Sequence, residues 1–267
     1  MRWNKLHKFD LRIWFVVLLV SLPLIFSESQ AEVIKTYASA INKAGHQRML
    51  SQRIVKAYTM VGLDVQADEA NEQLLLSVEL FEEQLAELKH FSKNKRTKNS
   101  LAKVEALWTP FRNVAIGKVS KNGVKKLSAM DNNLLKATHQ VVLTLEKIAN
   151  SKLGKIVNKS GRQRMLSQRI AKYYMLTAWG VNTDKSHKLM QISGNEFSTA
   201  LNELSSSKIN TKEINEALEE TKTQWSIFER SFRLKKGRFI PLLIAMSSEK
   251  ILTSMNKVTG MYDKLGK

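Results

Sequence analysis

Beyond about residue 32, apolar residues recur every three or four positions, and no stretch alternates convincingly with period two. That periodicity predicts an all-α protein with eight amphipathic helices. They fall near 33–62, 67–91, 98–118, 122–150, 152–180, 184–205, 210–234 and 239–264. Gly62, Lys93 to Lys95, Asn122-Gly123, Gly180 and Ser205 to Ser207 mark breaks between them. Asp184 and Thr211 read as helix starts. Pro241 falls in a first turn, where proline is tolerated. Pro110 lies inside the third segment and predicts a kink or a division there.

The eight segments are two copies of four. INKAGHQRMLSQRIVKAY, beginning at Ile41, is repeated as VNKSGRQRMLSQRIAKYY from Val157, with thirteen of eighteen positions identical at an offset of 116. Phe81, Leu85, Glu87 and Leu88 match Phe197, Leu201, Glu203 and Leu204 at that offset. Trp108 and Phe111 match Trp225 and Phe228 with one residue of slippage, and Met130 returns to the offset at Met246. The expected organisation is a leader over 1–31, a first four-helix unit over 32–150 and a second over 151–267. Leu50, Ile54, Leu74, Phe81, Leu85, Trp108, Phe111 and Leu135, with their counterparts, are the expected cores, the tryptophans acting as packing anchors. Only Gly154 interrupts the pattern between the fourth and fifth segments. One shared helix from about 124 to 179, joining two up-and-down bundles into a rod, is therefore open. A rod separates the two copies of the motif and favours a homodimer; otherwise the chain forms an internal pseudo-dimer.

The repeated motif carries two faces. At about 100° per residue, Leu50, Ile54, Ala57 and Val61 form an apolar stripe that packs into the bundle. On the opposite side lie Ala44, Gly45, Arg48, Ser51, Gln52 and Val55, repeated as Ser160, Gly161, Arg164, Ser167, Gln168 and Ala171. Small residues permit close approach of another helix. Glycine in a helix interior costs about 1 kcal/mol relative to alanine, so a close neighbour or ligand is expected beside Gly45 and Gly161. Where two such faces meet, two guanidiniums repel unless an anion lies between them, and a guanidinium suits an oxyanion through paired N–H donors. The candidate ligand-binding set is Gly45, Arg48, Gln52, Gly161, Arg164 and Gln168. The plainer alternative pairs the arginines with carboxylates or leaves them in solvent. Arg53 and Arg169 fall on the flank, as surface or salt-bridge residues.

Arg2, Lys5, Lys8 and Arg12 precede an apolar run from Ile13 to Phe26, and Ser29-Gln30-Ala31 ends the segment with small residues at −3 and −1. This is the layout of a secretory signal. The run is shorter than the roughly 20 residues of a spanning helix; an uncleaved N-terminal anchor is the alternative. The mature chain is expected in the periplasm. Absence of cysteine removes disulfides and thiolate metal sites. The formal net charge is +19, but the lysines are scattered, and a dense run, Lys93 to Lys98, has no aromatic residues interleaved. A nucleic-acid groove is not expected. His46, His90, His139 and His187 form no paired motif, and neither H-E-x-x-H nor G-x-S-x-G occurs. The chain reads as a non-enzyme without cofactor or metal.

The stretch N-K-[AS]-G-x-Q-R-M-L-S-Q-R, present twice, resembles the signature of PilJ/NarX-like N-terminal sensor domains, found in type IV pili chemotaxis transducers and nitrate/nitrite sensor kinases. The resemblance covers both units. It implies periplasmic four-helix bundles and, in the nitrate sensors, an anion site between first helices to which the arginine of G-x-x-R-M contributes. Those positions here are Gly45 and Arg48, and Gly161 and Arg164. No HAMP segment, kinase or methyl-accepting coiled coil is recognised, so signalling is expected to pass through a partner, a membrane receptor or pilus-associated protein. The expected function is an exported sensory module for a small anion, nitrate or nitrite first. The competing expectation is a structural or adaptor protein of the envelope without a ligand, its small-residue face serving as a protein–protein seam.

Overall fold

The computed structural model describes residues 34–233 and 240–265, which contain eight helices. They are α1 (Tyr37–Gly62), α2 (Ala67–Phe91), α3 (Lys95–Ala115), α4 (Lys121–Ala149), α5 (Lys152–Ala178), α6 (Thr183–Ser205), α7 (Lys212–Phe232) and α8 (Pro241–Lys264). Local chemistry sets their ends. Thr36, Asn94, Ser120, Ser151 and Thr211 each accept a hydrogen bond from a first-turn N–H of the helix that follows. Asp184 lies in the first turn of α6 rather than at its cap, which is Asn182 in a left-handed conformation. The leader expected over 1–31 lies outside the described residues.

Helices α1–α4 pack together and α5–α8 pack together, and the two sets meet along α1 and α5. The shared helix is not formed. Asn150 adopts φ 41°, its N–H closes α4 on the Glu146 carbonyl at 2.9 Å, and Ser151 caps a new helix. Asparagine tolerates this conformation better than most residues. The chain therefore folds back, and the repeats lie side by side instead of end to end. Helices α1 and α5 run parallel and in register: Ile41 touches Gly154, Gly45 faces Arg164, and Gly62 lies under the ring of Trp179.

In each set, aromatic residues anchor the core. Phe81 stacks on Trp108 with centroids 3.9 Å apart, and Phe197 on Trp225 at 4.1 Å. Helix α3 continues through Pro110 without dividing. The residue is exposed and near the helix end, so the carbonyl that loses its N–H partner is open to water. Two expectations shift by one position. In α4, Leu134 rather than its neighbour Leu135 is fully buried. Helix α8 follows an offset of 117, matching Leu127, Leu134 and Val141 to Ile244, Ile251 and Val258, while Met246 is exposed.

Candidate functional site

Helices α1 and α5 are buried on nearly every face, because each packs into its own bundle on one side and against the other on the opposite side. The apolar stripe satisfies the first requirement, and the face of small residues and arginine lies in the seam. Arg48 and Arg164 are only 1% and 4% exposed. A side-chain carbon added at Gly45 would sit 3.2 Å from Arg48 Nη2 and 3.5 Å from Arg164 Nη2; at Gly161 it would sit 3.0 Å from Arg164 Nη2 and 3.8 Å from Arg48 Nη2. Both guanidiniums thus flank both glycines, and the missing side chains are what make room for them.

Neither arginine forms an ion pair among the described residues. Arg48 Nη1 donates to Nδ1 of His139 at 3.1 Å and Nη2 to the Asn158 carbonyl at 3.4 Å. Arg164 Nη1 donates to Oδ1 of Asn256 at 3.3 Å, and its Nη2 donates to the Asn42 carbonyl and Oδ1 at 3.1 and 2.9 Å. The Nε of each arginine is buried without an acceptor. Carboxylates stand one residue further back: Asn42 Nδ2 donates to Asp263 at 3.1 Å, and Asn158 Nδ2 to Glu146 at 2.5 Å. Burial, then the Arg164 charge, pulls the Arg48 guanidinium down to about 9. Burial pulls Arg164 down to about 10, with Asp263 acting in the opposite direction. The repulsion between the two is mutual by Coulomb's law. A pair of dry cations held by neutral acceptors is chemically short of negative charge.

The two glutamines of the candidate set lie one turn further along. Gln52 Nε2 donates to Asp131 at 2.6 Å, and its Oε1 accepts from Lys172 at 2.7 Å. Gln168 Nε2 donates to the Ser248 carbonyl at 3.2 Å, and its Oε1 is buried without a donor. Neither is hydrogen-bonded to an arginine. The structure therefore gathers Gly45, Arg48, Gly161 and Arg164 in one layer and sets Gln52 and Gln168 in the next. That next layer is ionic and crosses the seam. Lys172 of α5 pairs with Asp131 of α4, and Lys56 of α1 pairs with Glu249 of α8 at 2.5 Å. Arg53 also reaches Glu249, at 2.6 Å. Sequence reasoning missed Asn42, Asn158, His139, Asn256 and the lysine layer. The first two carried a signal, since both lie in the repeated motif.

A family model described as type IV pili methyl-accepting chemotaxis transducer N-terminal matches twice, over residues 32–134 and 149–260. The chain belongs to that family. No curated protein and no solved structure matches it. PilJ-type N-terminal domains are periplasmic sensor regions of membrane receptors, and the family is one of sensory transducers, not of enzymes. Each of the two PilJ-type copies contributes one glycine and one arginine to the layer described above. No helix among the described residues is long and apolar enough to cross a membrane.

Beside this layer, His46 is half-buried with Nδ1 2.9 Å from Gln84 Nε2; desolvation, then the Arg164 charge, lowers its pKa to about 3. The folded state thus holds it neutral, while the unfolded chain protonates it near 6.5. Stability is complete above about pH 6.5 and falls as the pH drops toward 3, by about 1.4 kcal/mol per unit from this group. Urea unfolding at neutral pH and at about pH 5 should show that loss. His46→Gln should reduce it, leaving the share from His139, whose pKa burial and the Arg48 charge lower to about 4; an unchanged slope would place its origin elsewhere.

Proposed function

We propose that this PilJ-family chain is a periplasmic sensory module that binds one small oxyanion between Arg48 and Arg164. Nitrate and nitrite are the first ligands to test. The observation that carries this reading is the pair of buried guanidiniums facing each other across glycines, with no carboxylate in contact. Isolating a charge from water costs several kcal/mol unless it is compensated, and an anion shared by both arginines compensates both. A planar oxyanion matches guanidinium donors, and the two buried Nε–H groups supply donors that lack acceptors. Asp263 and Glu146, held behind Asn42 and Asn158, limit the net positive charge and favour a monovalent ligand. Because each repeat supplies half of the site, one chain suffices as an internal pseudo-dimer. Ligand binding would favour one packing of α1 on α5, and a membrane receptor or pilus-associated partner would read that shift.

Gly45→Ala and Gly161→Ala provide the test. Helix propensity alone predicts a gain approaching 1 kcal/mol for each. The added methyl lies within 3.5 Å of guanidinium nitrogens, so nitrate affinity measured by calorimetry is expected to fall at least tenfold. A folded variant that binds nitrate as the parent does would contradict the site.

A further inference from the structure

Away from the seam, a cavity of about 420 Å³ opens at the end of the first repeat where α1 begins and α2 passes into α3. Two of its lining residues, Ser92 and Thr97, are 4% and 1% exposed, and their hydroxyl oxygens are buried with no hydrogen-bond partner among the described residues. A buried hydroxyl without a partner costs about 1–3 kcal/mol, so two lining one cavity need explanation. Ile34, Tyr37 and Phe91 give the cavity an apolar wall, the two rings meeting edge to face at 5.4 Å. Among the described residues, its titratable lining is Lys35, His90, Lys93 and the Tyr37 phenol, with no carboxylate. A dense basic run, Lys93 to Lys98, starts at this rim.

The second repeat does not keep this feature. Lys208 stands at the 116-residue offset from Ser92, and at the 117-residue offset that α3 and α7 share, the apolar Ile214 stands where the first has Thr97. Asn210, next to the α7 cap Thr211 that is the counterpart of Asn94, accepts a hydrogen bond from the Tyr262 hydroxyl at 2.5 Å. Tyr262 takes the place of the smaller Leu145. Divergence between two copies that share their seam motif marks the cavity as a property of the first repeat alone.

We propose that this cavity is a second ligand site, for a small organic carboxylate with an apolar body. The carboxylate would lie toward Lys35 and Lys93, the apolar body against Tyr37 and Phe91, and the Ser92 and Thr97 hydroxyls would gain partners. The volume lies in the range of small-molecule pockets. Benzoate is the probe, with benzamide as its neutral analogue and inorganic phosphate as a charge without an apolar body. In calorimetry on the full chain, benzoate is expected to bind at least tenfold more tightly than either control. Ser92→Ala with Thr97→Val, and separately Lys93→Gln, should each weaken benzoate at least fivefold at unchanged melting temperature. Arg48→Met should leave benzoate binding intact, which separates this site from the seam. Absence of benzoate binding at millimolar concentration overturns the proposal. So does equal binding of phosphate, or full binding by the folded Ser92/Thr97 variant. If that double variant does not fold, Lys93→Gln decides alone.

Discussion

Replacing both Arg48 and Arg164 with methionine is expected to abolish nitrate-dependent stabilisation while leaving the anion-free protein at least as stable as the parent. The two halves of this result have separate causes. A ligand that binds only the folded state stabilises it by about 2.7 kcal/mol at one hundred times its dissociation constant. The parent should therefore melt several degrees higher in excess nitrate than in a neutral buffer of equal ionic strength. Without the arginines, that increment has no source. In the absence of anion, however, the arginines are buried cations with orphaned Nε groups that repel each other. Apolar side chains of similar length remove that cost and keep the packing. A merely structural role predicts the reverse, a large loss of stability with or without nitrate. Melting curves of parent and double variant, each with and without nitrate, distinguish the two.

Asp131→Ala is expected to destabilise the fold by about 3–5 kcal/mol, because it strands the ammonium of Lys172 in a dry seam. Lys172 is 1% exposed and Asp131 3%. Gln52 would remain as the one oxygen partner, with the Tyr173 ring 4.1 Å from Nζ. For a chain of this size the loss corresponds to roughly 10 °C in melting temperature. Removing both charges, as Lys172→Met with Asp131→Leu, should recover most of the loss, since a buried pair replaced by apolar groups is often neutral. Urea denaturation measures both. A single variant within about 1 kcal/mol of the parent would mean that water reaches the pair.

Much of the fold was legible because local rules and periodicity agreed. Helix α2 occupies its expected span, and the other seven lie within a few residues of theirs. Helix α3 starts early because Asn94, outside the expected segment, caps it. The side-by-side arrangement was legible only in part. Asn150-Ser151 combines a residue that tolerates the left-handed region with a residue that caps helices, yet the apolar pattern runs on across it. For the site, the motif's duplication exposed Gly45, Arg48, Gly161 and Arg164, since repeats keep a polar buried face for some reason other than core packing. Gln52 and Gln168 share that face, but the rise of one helical turn puts them in the lysine layer. His139 and Asn256 could not be found from sequence. They occupy corresponding positions at an offset of 117 but differ in type, and only the packing of α4 and α8 brings them to the arginines. The crossed pairs are hidden for a similar reason. Asp131 and Glu249 are not counterparts, so the repeat gives no hint of either.

The most direct measurement is the stoichiometry of nitrate binding by calorimetry on the purified monomeric chain. A site built from one arginine of each repeat predicts one nitrate per chain, lost when either Arg48 or Arg164 alone is replaced by methionine. Two nitrates per chain, or binding that survives either replacement, would contradict a shared site. No heat of binding at any attainable concentration would leave the arginine layer as a seam between two helical bundles.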